Sequence, residues 1–360
     1  MKKTPLIILG SIIAFIVIII IITIAWYQAQ LKPANNKNAE EKTIEITSGT
    51  STVQIVDLLK QNNLINNELA AKIYIKLNKV KSLQAGKYTL NTGMTLEEII
   101  KVISSGDVLD EKVKITFIEG KNMRWVAKKI AEQTNNTEDD VYTLLQNKEY
   151  IKSLIKKYWF LTDNIQNSNI YYPLEGYLYP DTYIFENKDV SVKEIFNIIL
   201  NKTEKVLANY KTQIQESKYN VHQILTIGSM IELEGKNNND RLGISSVFYN
   251  RLAKGMSLGS DVTTYYGIKV DMGERDLYKN EINTYNPYNT RGPKMQGKLP
   301  VGPICCVSDE SINAALNPSK TDYLYFVADM NGNAHFATTY EEHRQIISDL
   351  RKQGLWYNYK

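Results

Sequence analysis

The chain has 360 residues, of which 43% are hydrophobic and 23% are charged, and its formal net charge is +4. These proportions are typical of a globular protein and exclude a largely disordered one. So small a charge on a chain of this length gives no sign of a basic surface, and we expect no nucleic-acid partner. The length allows two domains or three smaller modules.

The segment that follows the amino terminus is strongly apolar. Residues 6–27 contain no charged side chain, and a helix of that length crosses the ~30 Å apolar layer of a membrane. Lys2 and Lys3 precede it, so residues 1–5 are predicted to stay in the cytoplasm while the rest of the chain is exported. The alternative is a cleaved signal peptide, whose apolar core is usually shorter, ~7–15 residues. We predict an uncleaved, single-pass anchor in the cell membrane.

A polar stalk and a small module are predicted after the anchor. Residues 28–42 are polar and lack an apolar period, which is typical of a stalk. Residues 43–108 are predicted to form a small α+β module. Its elements in chain order are a strand at 43–46, helices at 53–59 and 67–77, a strand at 85–90 and a helix at 96–103. Thr95 and Glu98 have the spacing of a capping box at the start of the last helix.

The remaining residues, 109–360, are predicted to form a larger α+β domain. Strands are predicted at 110–118 and 322–328, the second paired by a turn at 331–333 with a strand at 335–338. Helices are predicted at 122–133, 139–146, 192–210, 222–234, 241–254 and 340–350, with a loop at 163–169. We expect Asp240 to cap the helix at 241–254 and Gly255 to end it.

Few residues in the chain are suited to bind a metal or form a disulfide. Cys305 and Cys306 are adjacent, and a disulfide between neighbours needs a strained turn, so we expect free or buried thiols. The three histidines, His222, His335 and His343, have no metal-ligand spacing. We therefore expect neither a metal nor another cofactor.

The most informative stretch is SMIELE, residues 229–234, at the end of a predicted helix. Glu232 follows Gly228 by one turn, so the missing side chain of the glycine leaves room for a ligand, and Leu225 gives that face an apolar flank. A carboxyl group against apolar surface has a raised pKa, as a proton donor requires. The alternative is an ordinary surface glutamate near a helix end. Such an acid outside a membrane, on a chain with 24 tyrosines, indicates glycan chemistry.

No second carboxylate is predicted to face Glu232. On a continuous helix Glu234 points nearly the opposite way, although Gly235 allows a break. A usual glycosidase needs two carboxylates on either side of the bond. Asp261 could approach from the turn at 258–261, and its alternative is a turn residue that bonds its own backbone.

Several segments, taken together and in order, carry a family resemblance. They are LEGYLYPDTY (174–183), SMIELE (229–234), SVFYNRL (246–252), LPVGPI (299–304), AALNP (314–318) and YLYFV (323–327). In this order they resemble the YceG-like family of endolytic murein transglycosylases, from the anchor to the carboxyl terminus. Each segment alone is a weak signal, whereas the full series is highly specific.

The resemblance implies an α+β protein with a transmembrane helix, a LysM-like module and a YceG-like catalytic domain. It implies a lytic transglycosylase that cuts the β-1,4 bond between N-acetylmuramic acid and N-acetylglucosamine inside peptidoglycan strands. The products would carry 1,6-anhydro ends, and the cut would help to terminate strand elongation. Implied partners are the glycan strands, the membrane, and cell-wall synthases such as penicillin-binding proteins.

The resemblance also implies roles for individual residues. Glu232 falls on the catalytic glutamate of the family. Residues expected to bind substrate are Glu234, Ser260, Asp261, Tyr266 and Asn289. The chain departs from the family at residues 259–263, which read GSDVT where QSDPT is common, so these sugar contacts depend on a changed segment.

Other residues and two other functions remain as alternatives. We expect Glu175 and Asp181 to hold turns and networks near the cleft, and either packing or a ligand fits His335. A non-catalytic peptidoglycan-binding scaffold is the main alternative function. A lyase that uses pyridoxal phosphate, an older label for this family, conflicts with an exported domain that lacks a lysine in a Gly/Ser-rich cup.

Overall fold

The computed structural model describes residues 4–35, 38–106 and 112–356. It divides into two compact units, Met1–Glu111 and Lys112–Lys360. Each unit mixes helices with two-stranded antiparallel sheets. Three predicted features lie outside the described residues: part of the cytoplasmic tail, the module boundary at 108/109 and the start of the strand at 110–118.

The first unit begins with a long apolar helix, α1 (Thr4–Gln30). Its 27 residues span about 40 Å at 1.5 Å per residue. Within it, Ser11–Gln30 is apolar enough to cross a membrane, and none of that segment is buried inside the protein. The helix extends the predicted apolar run by a few residues at each end.

The rest of the first unit has the predicted strand–helix–helix–strand–helix order. Its elements are β1 (Glu41–Ile46), α2 (Thr52–Gln61), α3 (Glu68–Leu77), β2 (Gly86–Asn91) and α4 (Leu96–Ser105). β1 and β2 pair antiparallel, and alternate side chains of both strands join the helices in one core, as a half-buried sheet requires. Thr95 and Glu98 form the predicted capping box of α4.

The first half of the second unit packs helices around a short sheet. The elements are β3 (Val113–Thr116), α5 (Met123–Gln133), α6 (Glu138–Gln146), α7 (Lys148–Lys157), β4 (Thr182–Phe185), α8 (Val192–Ala208) and α9 (Lys211–Glu216). β3 and β4 pair antiparallel although 65 residues separate their ends. This half contributes most of one hydrophobic core.

The second half of that unit contains the candidate site. Its elements are α10 (Val221–Glu234), α11 (Asn238–Ala253), α12 (Asp261–Gly267), α13 (Lys279–Asn283), α14 (Asp309–Leu316), β5 (Tyr325–Ala328), β6 (Ala334–Ala337) and α15 (Tyr340–Lys352). β5 and β6 form the predicted hairpin, with Val327 opposite His335.

The helix α10 lies between two hydrophobic cores. Leu225 belongs to the core of the first half, whereas Ile224, Ile227 and Ile231 belong to a second core with α11 and α12. Nearly every residue from Val221 to Glu232 is buried, which is the pattern of a helix that is covered on all sides. This burial fixes the position of its last turn.

Six elements of the second unit were not predicted from the sequence: α7, β4, α9, α12, α13 and α14. β4 begins in the last two residues of the segment LEGYLYPDTY, whose turn residues obscure a strand of only four residues. α12 begins where a turn was expected, because Ser260 starts a helix there. The predicted cap of α11 is also wrong, since Asn237 is the N-cap and Asp240 lies at the third helical position.

We expect Gly176→Ala to destabilise the second unit strongly. Gly176 has φ +78°, and an added Cβ would lie 2.3 Å from Cβ of Pro303. Backbone strain and overpacking together should lower the free energy of unfolding by about 3 kcal/mol. Gly255→Ala is the matched control, because φ is +64° there but nothing lies within 4 Å of the added Cβ. Equal losses for the two variants in denaturant titrations would show that Pro303 does not constrain this turn.

Candidate active site

Glu232 lies in the last turn of α10, and its carboxylate accepts hydrogen bonds from the starts of two other helices. Oε1 accepts from Nη2 of Arg241, in the first turn of α11, at 3.2 Å. Oε2 accepts from the backbone N–H of Ser308 at 2.8 Å and also from its hydroxyl group. The side chain is only 3% exposed. The carboxylate therefore joins three helices at one buried point.

The surroundings of Glu232 are not those expected from the sequence. The predicted open groove at Gly228 is wrong, because an added Cβ would lie 3.0 Å from Cγ1 of Val307 and 3.6 Å from the backbone oxygen of Ser311. The predicted apolar flank is wrong as well, since Leu225 packs into the other core. The approach of α14, which the sequence analysis missed, fills this space and brings polar donors to the carboxylate.

The turn between α10 and α11 places Arg241 beside Glu232. Gly235 follows α10, and a Cβ added there would lie 2.7 Å from Cγ of Arg241. Asn237 caps α11 by accepting from the N–H of Asp240. The Asp240 carboxylate in turn accepts from the Asn237 amide at 2.7 Å and from the N–H of Ala334 in the hairpin. This network holds the first turn of α11 firmly.

Ser308 is positioned because it is the N-cap of α14. Its hydroxyl oxygen accepts from the N–H of Ser311, as an N-cap does. The preceding cysteines anchor the segment: Cys306 accepts from the N–H of Gly120 and donates its own N–H to Lys121. Both thiols are free and buried, which confirms the expectation from their adjacency. Burial raises the pKa of both thiols, so they are not reactive nucleophiles.

Glu234 lies on another face of α10 and has different partners. Its Oε1 accepts from the hydroxyl of Ser260 at 2.6 Å, at the start of α12. Burial raises the pKa of Glu234 and the Asp261 carboxylate adds to this effect, whereas the Ser260 hydrogen bond and Arg291 lower it. Asp261 itself forms an ion pair with Arg291. The two glutamates therefore bind separate elements and do not face each other.

The polar atoms of Asn289 are engaged within the protein. Its amide nitrogen donates to three backbone oxygens of residues 281–284, and its oxygen accepts from Thr264 and from the N–H of Arg291. It is only 1% exposed. Sugar contacts by Asn289, Ser260, Asp261 and Tyr266 stay predictions, and for Asn289 a sugar would have to replace an internal partner.

A second buried carboxyl group, Glu175, lies between α5 and α12. Its Oε2 accepts from the N–H of Met123 and from the hydroxyl of Tyr266, both at 2.9 Å. Burial raises its pKa to about 7, although these two hydrogen bonds and nearby Arg124 oppose the shift. The structural role expected for Glu175 agrees with this geometry. By contrast, Asp181 pairs with Lys202 near the surface.

A cavity of about 310 Å³ lies beside the end of α10. Its lining includes Trp125, Leu233, Tyr265 and Tyr266. A larger cleft of about 550 Å³ lies at the opposite end of α10, where His222 contributes to the lining. That cleft extends along α10 as far as Thr226, six residues or ~9 Å along the helix axis from Glu232, whereas Leu233 of the smaller cavity is the next residue in the chain. The smaller cavity is therefore the relevant one for chemistry at Glu232.

Comparison with known proteins identifies the family. A sequence model of the YceG-like family matches residues 44–349. The chain belongs to the YceG-like family. It is 38% identical over 316 residues to a protein of Bacillus subtilis named endolytic murein transglycosylase, and the match covers 88% of this chain and 86% of that protein.

Other members of the YceG-like family agree with this assignment. An endolytic murein transglycosylase of Streptococcus pneumoniae is 28% identical over 336 residues, which cover 89% of this chain and 60% of that protein. The crystal structure of a yceG-like protein from Listeria monocytogenes superposes with a TM-score of 0.61 at 36% identity, and covers 86% of this chain and all of that one. The mixed helix-and-sheet fold is therefore that of the family.

Four residues near the site were not singled out from the sequence: Arg241, Ser308, Trp125 and Tyr265. Ser308 did have a signal, because Ser-Asp-Glu-Ser at 308–311 is typical of a helix start with acidic residues in the first turn. Arg241 was noticed only as a helix residue. The two aromatic residues lie on different helices, 140 positions apart in the chain, and no local pattern connects them.

We expect Glu175→Gln to change how stability depends on pH. The pKa of Glu175 is raised from 4.5 to about 7 by burial, so the folded state holds its proton longer than the unfolded state does. Ionisation therefore destabilises the wild type as pH rises from 4.5 to about 7, with the full cost of about 3 kcal/mol above that range. Glu175→Gln has no proton to lose at this position. Its free energy of unfolding relative to that of the wild type should therefore rise as pH increases over the same range. Denaturant titrations of both proteins at several pH values measure this difference. A difference in the free energy of unfolding that stays constant with pH would contradict the raised pKa of Glu175.

Proposed function

We propose that the chain is a peptidoglycan-cleaving lytic transglycosylase in which Glu232 is the catalytic acid and base. The observation that carries the proposal is the position of Glu232, buried where three helices meet and held by a cation and a hydroxyl group. Membership of the YceG-like family and relatives named endolytic murein transglycosylase support it. The substrate bond is the β-1,4 linkage from N-acetylmuramic acid to N-acetylglucosamine.

One carboxyl group can perform both proton transfers of this reaction. Protonated Glu232 donates its proton to the bridging oxygen, the bond from that oxygen to the anomeric carbon breaks, and N-acetylglucosamine leaves with a free 4-hydroxyl. The 6-hydroxyl of the muramic sugar then bonds to the anomeric carbon, and its proton returns to Glu232. The product has a 1,6-anhydro end. Because no water attacks, a second carboxylate across the bond is not required.

The two partners of Glu232 suit different stages of this cycle. The Ser308 hydroxyl both donates and accepts, so it can stay bonded to Oε2 before and after the proton leaves. The Arg241 guanidinium only donates, and it stabilises the carboxylate that remains once the bridging oxygen is protonated. We therefore assign both as positioning residues for Glu232.

The first unit is proposed to hold the enzyme at the membrane. α1 would span the cell membrane once, with residues 1–5 in the cytoplasm, residues 28–42 as a stalk and the remainder outside. The LysM-like module at 43–108 would bind glycan and present it to the catalytic domain at 109–360. The length of α1 and the strand–helix–helix–strand order of the module support these roles. Cell-wall synthases, including penicillin-binding proteins, are the proposed neighbours.

We expect Glu232→Gln to lower strand cleavage by about 10³-fold or more, because general acid–base catalysis at this residue would be lost. Mass spectrometry of products from purified glycan strands measures this as the loss of 1,6-anhydromuramoyl ends. Glu310→Gln is the matched control, an exposed glutamate in the first turn of α14, and should cleave normally. Full activity in Glu232→Gln would contradict the catalytic role of Glu232, absence of cleavage by the wild type would favour the scaffold function, and reducing muramic ends would indicate hydrolysis.

The same assay tests the role of Ser308. Glycine is nearly as good an N-cap as serine, so Ser308→Gly should keep α14 folded while it removes the hydroxyl group from Glu232. We expect a ~10–100-fold lower kcat, the range for one hydrogen bond to a charged group, and recovery in Ser308→Thr. Unchanged kcat in Ser308→Gly would remove this residue from the proposal.

The membrane and glycan roles of the first unit are tested with the whole chain in cells. Protease added outside intact cells should digest the region after residue 27 and spare an amino-terminal tag. Removal of residues 43–106 should leave the chain in the membrane fraction but weaken its retention on purified peptidoglycan. A tag that is digested from outside contradicts the orientation, and unchanged retention contradicts glycan binding by the module.

A further inference from the structure

The cavity beside the end of α10 has the lining of a sugar-binding site. Trp125, Tyr265 and Tyr266 supply aromatic surface, Leu233 supplies an apolar wall, and Asn122 and Asp271 supply polar groups. We propose that this cavity is a subsite for one N-acetylhexosamine ring of the glycan strand, immediately next to the bond that is cut. This inference rests on the proposed function and adds a binding site to it.

The chemistry of the lining favours a sugar ring. A pyranose has an apolar face of C–H groups and a polar edge of hydroxyl groups, and aromatic rings contact such faces well. Binding pockets combine apolar walls with a few placed polar groups in this way. The volume of about 310 Å³ is near the lower end for ligand pockets. The size thus fits one sugar ring rather than a longer stretch of the strand.

The position of the cavity connects it to Glu232. Leu233 lines the cavity and is the next residue on α10, about 100° around the helix axis. Gly120 lies between them: a Cβ added there would be 3.3 Å from Cδ2 of Leu233 and 4.0 Å from Cγ of Glu232. Gly120 has φ +72° and no side chain, so no Cβ occupies the space between these two residues. A ring in the cavity would therefore contact Leu233 in the last turn of α10, the turn that also carries Glu232.

The walls of the cavity come from distant parts of the chain and are tied together on two sides. Behind the cavity, Glu175 accepts hydrogen bonds from the first residue of α5 and from Tyr266 of α12. At the rim, Asp271 accepts from Arg124 at 2.5 Å and from Asn122 at 3.3 Å. Asp271 is 70% exposed, and exposed ion pairs are weak. The back of the cavity is thus fixed, while the rim can exchange protein partners for sugar hydroxyl groups.

The test is binding of a chitin tetramer, four β-1,4-linked N-acetylglucosamine units, to the full chain in detergent micelles. Glu232→Gln serves as the parent so that binding is measured without cleavage, by isothermal calorimetry. Adding Trp125→Ala or Tyr265→Ala should weaken binding at the cavity about tenfold and leave binding at the module of residues 43–108 unchanged. Tyr265→Phe keeps the ring and should bind like the parent. Tyr340→Ala is the matched control, since Tyr340 is an exposed tyrosine of α15 that does not line the cavity, and it should not change the affinity.

The outcomes separate this inference from the proposed function. Because the module at 43–108 is also proposed to bind glycan, the calorimetric titration is read for the number of sites. An unchanged number and affinity of tetramer sites in folded Trp125→Ala and Tyr265→Ala variants overturns the subsite, even if Glu232→Gln abolishes cleavage. Binding of a peptide stem fragment by the parent, with no binding of the tetramer, also overturns it. If the aromatic variants lose binding but cleavage does not depend on Glu232, the subsite stands and the catalytic assignment fails. Circular dichroism shows which variants are folded.

Discussion

The organisation of the catalytic unit depends on one buried carboxylate. Glu232 ends α10, and its two oxygens are met by Arg241 near the start of α11 and by Ser308 at the start of α14. A buried charge that loses its partner is costly, by several kcal/mol. The three helix ends must therefore stay in register. Gly228 and Gly235 make this possible, because side chains there would push Val307 or Arg241 away.

Three buried or half-buried glutamates near this point have different partners and different roles. Glu232 has a cation and a serine, Glu234 has the Ser260 hydroxyl, and Glu175 has a backbone N–H and a tyrosine. Burial raises the pKa of the last two. Of these three, Glu232 forms an ion pair with a fixed cation, Arg241, and the next residue, Leu233, lines the aromatic cavity. Its setting is the one that suits repeated proton transfer to and from a sugar.

In the proposed function, the division into two units separates membrane attachment from chemistry. The first unit has its own core, and the segment Ser11–Gln30 of its apolar helix α1 is not buried. The second unit has two cores with α10 between them. Catalysis needs the rigid placement of α10, whereas a membrane anchor needs only length and an apolar surface. Each requirement is met by residues of a single unit.

The sequence by itself determined the local features of this protein. The apolar period of α10, the capping box of α4, the hairpin at 331–333 and the apolar run of α1 all arise from residues that are close in the chain. The candidate Glu232 and the family resemblance were also visible there. The fold could not be read where short elements such as β4 and α14 are stabilised by distant partners, because four to eight residues carry too little periodicity.

Only the tertiary structure decided what surrounds Glu232. The sequence places a glycine and a leucine nearby and so predicts apolar surroundings. The folded chain instead brings Ser308, 76 residues away, and Arg241 to the carboxylate. It also brings Trp125 and Tyr265 to one cavity. Such contacts depend on how helices pack, and packing joins residues whose separation along the chain leaves no local pattern.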